Sequence, residues 1–383
     1  MRKSRRGEVD PFIVMDVMEA ARKAEAAGRR VIHMEVGQPS TPAPAGARAA
    51  LADALAEPLG YTVALGLPEL RQGIAGLYRR WYGVDLDPAR VVVTSGSSGA
   101  FLLAFAALFD AGDRVALPEP GYPSYRQILR AMSLTPVGIP TLAQDRYQPR
   151  PDQVPGDVAG LILASPGNPS GTVLQRGELA ALTARAAELG IGVISDEIYH
   201  GLSYEGRCTS ALEVTDDVVV INSFSKYFSM TGWRIGWMVV PESHIRTIER
   251  LAQNMFICPP HASQIAALAA LDCEAEADRN LAVYAENRRM MLERLPRMGF
   301  GRIAPPEGAF YIYADVSDLT ADSLKFCAEI LEKAGVAVTP GLDFDPLRGA
   351  RTLRFSYARG AADIAEGLDR LEAFMAARGA VPR

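Results

Sequence analysis

From about residue 90 onward, short β-branched runs alternate with alanine-rich stretches at helical spacing, and that order admits few folds. "RVVVTS", "DRVALP", "GLILASP", "IGVISDE", "DVVVINS" and "RIGWMVV" read as buried strands. "SSGAFLLAFAALFD" and "RGELAALTARAAELG" read as helices between them. Strands alternating with helices predict βαβ units, an α/β fold with a mainly parallel sheet covered on both faces. Ligands of such sheets collect at the carboxyl ends of the strands.

The flanks have another texture. Residues 11–27 show helical spacing that stops at Gly28, a suitable C-terminal cap. A short strand, "VIHMEV", then runs into the proline-broken "GQPSTPAP". After about 275 come a long charged helix (about 275–297), "GAFYIYADV", a helix over 322–334, "GVAVTP", "RTLRFSYA" and a last helix. We expect a large domain over 41–275 and a smaller α+β domain built from 1–40 and 276–383. A chain of 383 residues is long enough for two cores.

Charge and composition exclude several classes. A net charge of -5, with no basic block beyond "MRKSRR", argues against nucleic acid or a membrane surface as partner. That basic start is expected to be a frayed, solvated end. No apolar run approaches the roughly 18 residues of a membrane span, and the N-terminus lacks a signal-peptide core. Cys208, Cys258, Cys273 and Cys327 form no CxxC pair and read as reduced, buried thiols of a cytoplasmic protein. His33, His200, His244 and His261 show no metal-ligand spacing, so no metal is expected.

Chemistry gathers at the strand ends. "VVVTSGSSGAF" is strand, small residues, then helix, and its backbone N–H groups suit an anion; a plain serine N-cap explains it equally. It has neither the GK[ST] of a Walker loop nor a GxGxxG turn. In "LASPGNPSGTV", Asn168 is either turn chemistry or an amide offered to a ligand. In "GVISDEIYHG", Asp196 is either a helix cap or a buried carboxylate for a cationic ring nitrogen, with the Tyr199 phenol nearby. The decisive stretch is "INSFSKYFSMTGWRIGW". It places Lys226, one of only five lysines, between hydroxyls and aromatics. A free lysine is a poor nucleophile at neutral pH, and burial or cationic neighbours correct that. Ser223, Ser225 and Arg234 nearby suit a phosphate. An anion cradle, a carboxylate, a phenol, an amide and a buried amine together match pyridoxal 5′-phosphate.

Here the sequence resembles the fold-type I pyridoxal-phosphate-dependent aminotransferases of class I/II, from about residue 8 to 375. The resemblance rests on "VGQP", "GYTVALGLPELRQGI", "TSGSSGA", "PGYPSY", "SPGNPSGT", "SDEIY", "SFSKYFSMTGWRIGW", "PEGAFYIY" and "LRFSYA". It implies a seven-stranded-type sheet and a small domain that closes over substrate. It also implies a ping-pong, Schiff-base transfer of an amino group between an L-amino acid and a 2-oxo acid. Lys226 resembles the Schiff-base lysine that also moves the substrate Cα proton. Asp196 resembles the partner of the pyridine nitrogen, and Tyr199 the donor to the cofactor's phenolic oxygen. Asn168 is similar to the asparagine near that oxygen and the substrate carboxylate. Tyr122 looks like the aromatic stacked on the ring, and Ser97, Ser98, Ser223 and Arg234 like the phosphate cup. Tyr61 resembles a tyrosine that reaches the phosphate from the other subunit, which implies a homodimer with shared active sites. Arg354 resembles the clamp for the α-carboxylate, and Gly37 the N-terminal glycine over the substrate.

Dicarboxylate-specific relatives carry a distal cation in one of two places. This chain has Gln253 shortly before "CPPHAS" and Ser98 in the glycine-rich loop, so both anchors are missing. The expected donor is therefore neutral, aromatic or broad, with aspartate transamination as an alternative. The same site resembles carbon–sulfur β-lyases and aminocyclopropane-carboxylate synthases, a second alternative. "SFSK" also fits the SxxK of serine acyl-enzymes, but SDN and KTG are absent. A DNA-binding regulator on this fold would need an added segment for which the N-terminus leaves no room.

Overall fold

The computed structural model describes residues 1–379. Its strands are β1 (Ile32–His33), β2 (Val91–Thr94), β3 (Arg114–Glu119), β4 (Thr135–Pro140), β5 (Gly160–Ala164), β6 (Gly192–Asp196) and β7 (Val219–Ser223). There follow β8 (Gly236–Val239), β9 (Arg302–Ile303), β10 (Tyr311–Asp315), β11 (Val336–Ala337), β12 (Thr339–Pro340) and β13 (Thr352–Ser356). Seven form one sheet in the order β2-β8-β7-β6-β5-β3-β4. β3 to β7 run parallel, while β8 lies antiparallel between β2 and β7. β2 therefore shares the direction of β7, and six carboxyl ends lie on one edge.

Strand alternation sends successive side chains to opposite faces, and both faces are covered. Val92, Ile162, Ile194, Ile221 and Met238 pack on Phe101 and Phe105 of the helix Gly96–Leu108. Val91, Leu161, Val193, Val220 and Val239 join the opposite core with Leu179 and Leu182 of the helix Arg176–Leu189. That double burial is why these strands are continuous apolar runs.

β4 was not anticipated. Pro136 and Pro140 interrupt its pattern, and it sits at the sheet edge, where a missing N–H is tolerated. Beyond the large sheet, β12-β13-β10-β9 form an antiparallel sheet, and β1 pairs parallel with β11. The N-terminal helix spans Ile13–Ala26, with Gly28 in the left-handed region at φ 86°. It starts on a distant carboxylate: Asp343 accepts from the N–H groups of Ile13 and Val14 at 3.0 Å each.

Two expectations need correction. The start of the chain is exposed yet held: Arg6 Nε donates to Ser133 Oγ at 3.0 Å, and just after it Asp10 pairs with Arg130 at 2.6 Å. All four cysteines are free, but only Cys208 and Cys327 are buried; Cys258 and Cys273 lie in partly exposed loops at helix ends.

Candidate active site

The carboxyl ends of β2, β5, β6 and β7 border a cavity of about 620 Å³. β2 leads through Thr94 into the helix Gly96–Leu108, whose first turn brings Ser97 and Ser98 to the cavity wall. Ser95, at the N-cap, makes no side-chain capping bond. The plain-cap reading therefore fails, and the first-turn N–H groups remain available to an anion. Arg234 lines the same wall, its Nη1 donating to the Thr231 carbonyl at 3.0 Å. Gly96 makes this approach possible. It sits at φ +70°, and a Cβ there would lie 2.5 Å from Arg234 Nη2. Ser225 also lines the cavity, whereas Ser223 does not. Buried behind it, Ser223 Oγ is engaged by Ser225 Oγ at 2.8 Å and the Ile235 carbonyl at 3.0 Å.

Asp196, at the end of β6, is buried, and no α-helix follows it. Its Oδ1 accepts from the Ile198 N–H at 3.0 Å, and its Oδ2 accepts from the Tyr125 hydroxyl. Burial pushes the carboxyl up to about 6, against the pull of Tyr125, Ile198 and the Lys226 charge. Lys226 keeps some accessible surface because it opens on the cavity. Its Nζ donates to the Gly37 carbonyl at 2.6 Å and lies 5.8 Å from the Tyr199 ring centre. Burial first, then the Arg354 and Arg234 charges, bring the amine down to about 8, with Asp196 opposing. A quarter or so of such a group is a free amine at pH 7.5, against well under one per cent of an ordinary lysine.

Tyr199 is buried, with its hydroxyl 2.7 Å from that of Tyr311. Gly37 fits against the same phenol; a Cβ there would fall 1.7 Å from Tyr311 Oη. Tyr122 lines the cavity, with Phe12 edge-on to its ring at 5.9 Å. Arg354, on β13, is fully enclosed between the rings of Tyr311 and Phe344, 4.4 and 4.7 Å from their centres. Its Nη1 donates to Asn168 Oδ1 at 3.0 Å, and its Nη2 to the Glu35 carbonyl. Nε is buried without a partner. Among the described residues no carboxylate pairs with Arg354 or Arg234. Arg234 is exposed, but the Arg354 guanidinium is buried without a counter-ion, which favours an anionic ligand.

Ten of the twelve sequence-predicted residues thus line one cavity. Ser223 stands behind it, and Tyr61 lies outside it, 84% exposed. Sequence reasoning missed Tyr125, Tyr311, Gln38 and Phe12. Tyr125 was detectable: three residues beyond Tyr122, it projects from the same side of the helix Pro123–Ala131. The others reach the site only through chain segments folded in from far away.

A family model for "Aminotransferase class I and II" matches residues 29–371. The chain belongs to the class I and II aminotransferases. Valine–pyruvate aminotransferase of Mycobacterium tuberculosis is 49% identical over 378 residues, 97% of each chain. Among solved structures, a putative aminotransferase from Silicibacter pomeroyi is 68% identical with a TM-score of 0.95, covering 99% of this chain and 100% of that one. An aminotransferase from M. tuberculosis is 48% identical with a TM-score of 0.96, covering 98% and 100%. The mixed seven-stranded sheet of this aminotransferase, flanked by helices, is that of the fold-type I transferases.

Proposed function

We propose that pyridoxal 5′-phosphate binds in this cavity and that the enzyme transfers the amino group of a neutral, aromatic or broadly chosen L-amino acid to a 2-oxo acid. The observation that carries this is Lys226, a half-buried amine brought down to about 8 in one cavity with Asp196 and two arginines that have no acid partner among the described residues. The residues fit the cofactor's chemistry: an uncapped helix start with Arg234 for the phosphate, a buried carboxylate for the ring nitrogen, and Tyr122 for the ring face.

When bound, the cofactor supplies an aldehyde that bonds amines and a ring that acidifies the substrate's Cα–H. Asp196, ionised above about pH 6, favours a protonated ring nitrogen. Tyr199, its phenol pushed up by burial, stays protonated and would donate to the cofactor's phenolic oxygen. Lys226 Nζ accepts the Cα proton as a free amine, aimed by the Gly37 carbonyl. Arg354 receives the α-carboxylate and Asn168 steadies it. Donor and acceptor use the same residues in turn, so ping-pong kinetics follow.

The donor class draws on the apolar wall of Phe12, Val14, Met15 and Val36, and on the valine–pyruvate relative. Aspartate specificity gains nothing over it: Gln253 is exposed on the helix Ile245–Met255, and Ser98 is uncharged. Elimination in place of transfer has no observation of its own. A homodimer is supported by an exposed apolar group, Leu59, Tyr61, Val63, Met255 and Ile257, on segments joined where His261 Nδ1 meets the Gly60 carbonyl at 3.2 Å. Tyr61 would then serve the neighbouring subunit's phosphate. We assign the large domain to 41–275 and the closing domain to 1–40 and 276–383, and favour the cytoplasm for four free thiols.

The test is the visible absorbance of holoenzyme titrated with single amino acids and no acceptor. One donor should convert the cofactor band in a single stoichiometric turnover, and Lys226→Ala should abolish turnover. A persisting band with accumulating ammonia would mean a lyase. Substantial turnover by the alanine variant would remove Lys226 from the chemistry.

A further inference from the structure

Tyr311 opens β10 of the antiparallel sheet and is paired there with Ser356 of β13, two residues beyond Arg354. The Arg354 guanidinium lies 4.4 Å from the centre of the Tyr311 ring. The Tyr311 hydroxyl is 2.7 Å from that of Tyr199, on the turn that follows β6. The two rings meet edge to face, their centres 5.6 Å apart and their planes at 80°. Both side chains are buried, and among the described residues neither hydroxyl has another hydrogen-bond partner. Gly37 closes the space around this contact, since a Cβ there would fall 1.7 Å from Tyr311 Oη. The carbonyl of the same glycine holds Lys226 Nζ at 2.6 Å.

A tyrosine hydroxyl has one proton to give and two lone pairs with which to accept. Between two phenols alone, either one can donate. A third oxygen removes that freedom. Once the Tyr199 proton is given to the cofactor's phenolic oxygen, the 2.7 Å contact survives only with Tyr311 donating and Tyr199 accepting. A hydroxyl that accepts one hydrogen bond donates its own more strongly, and a buried chain of such bonds reinforces itself. Arg354 favours that direction. Burial pushes the Tyr311 phenol up, and the Arg354 charge over the ring pulls it back, which makes its proton easier to share.

We infer that Tyr311 is a positioning residue of this enzyme: its hydroxyl donates to Tyr199, aims the Tyr199 proton at the cofactor's phenolic oxygen and strengthens that donation. This rests on the cofactor reading above and deepens it. Tyr311 acts on the cofactor through Tyr199, while its ring separately backs Arg354. The hydroxyl and the ring therefore have different consequences, and single substitutions separate them.

The test is the pH titration of the visible cofactor band in substrate-free holoenzyme, for wild type, Tyr311→Phe, Tyr199→Phe and the double variant. Donors aimed at the phenolic oxygen favour its ionised form, so weakening them raises the pH at which the band titrates. One neutral hydrogen bond corresponds to roughly half a pH unit to one unit, and Tyr311→Phe should raise the midpoint by that much. Tyr199→Phe should raise it further, and adding Tyr311→Phe to that variant should shift nothing more. An unmoved or lowered midpoint, or the same shift in both backgrounds, would overturn the inference. Phenylalanine keeps the ring against Arg354, so KM for the amino donor should rise less than in Tyr311→Leu, which loses ring and hydroxyl together. Equal rises in KM with an unmoved midpoint would make Tyr311 a packing residue only. Wild type forming no visible band with pyridoxal phosphate would instead refute the cofactor reading, and the inference with it.

Discussion

Replacing Arg354 by lysine tests the α-carboxylate clamp most directly. The guanidinium is buried, held flat between Tyr311 and Phe344, and presents a fork whose Nη1 is 3.0 Å from Asn168 Oδ1. Nε is the donor left without a partner, and it is itself buried. A lysine keeps one charge but loses the second donor, the planar stacking and the bond to Asn168. A hydrogen bond to a charged group contributes about 1.5–3 kcal/mol, so kcat/KM should fall roughly 10- to 150-fold. Donor and acceptor both carry an α-carboxylate, so the two half-reactions should weaken in parallel. The assay is steady-state kinetics with each substrate varied, on protein whose visible spectrum shows the cofactor retained. Unchanged values, or a loss confined to one half-reaction, would refute the clamp.

Two further outcomes follow from the site. Burial holds Asp196 at about 6, above the ordinary carboxylate value, so folded protein binds the proton more tightly than unfolded chain does. Stability contributed by the protonated form is complete below the unfolded value near 4 and is lost as pH rises to about 6. In cofactor-free protein, Asp196→Asn should therefore gain on wild type between pH 4 and 7, by on the order of 3 kcal/mol, while turnover collapses. Melts showing the variant equally destabilised at every pH would contradict this. Gly96→Ala places a residue at φ +70°, costing about 1–2 kcal/mol, and drives its Cβ to 2.5 Å from Arg234 Nη2. Tm should drop and the Kd for pyridoxal phosphate, followed by fluorescence, should rise; an unchanged Kd would detach Arg234 from the cofactor.

Much of this was legible before any fold was known. The buried strands are apolar on both faces, so "VVVT", "GLILA" and "VVINS" could only sit inside a covered sheet. The residues at their carboxyl ends then named the cavity: Asp196 ends its strand, and Ser97, Asn168 and Lys226 lie within a few residues beyond theirs. β4 escaped because its prolines mark an edge that only the neighbouring strand defines. Ser223 stands behind Ser225, since sequence spacing cannot say which of two serines near a lysine lines the cavity.

The sequence by itself determined the order of strands and helices, the side on which ligands gather, and the chemical types gathered there. These depend on periodicity and on residues close in the chain, which act locally. Tertiary structure alone decided which charges are left over. Arg354 meets Asn168 across 186 positions, Tyr125 reaches Asp196 across 71, and Lys226 meets Gly37 across 189. Whether a charge is compensated depends on every group packed around it, and that is a property of the folded core.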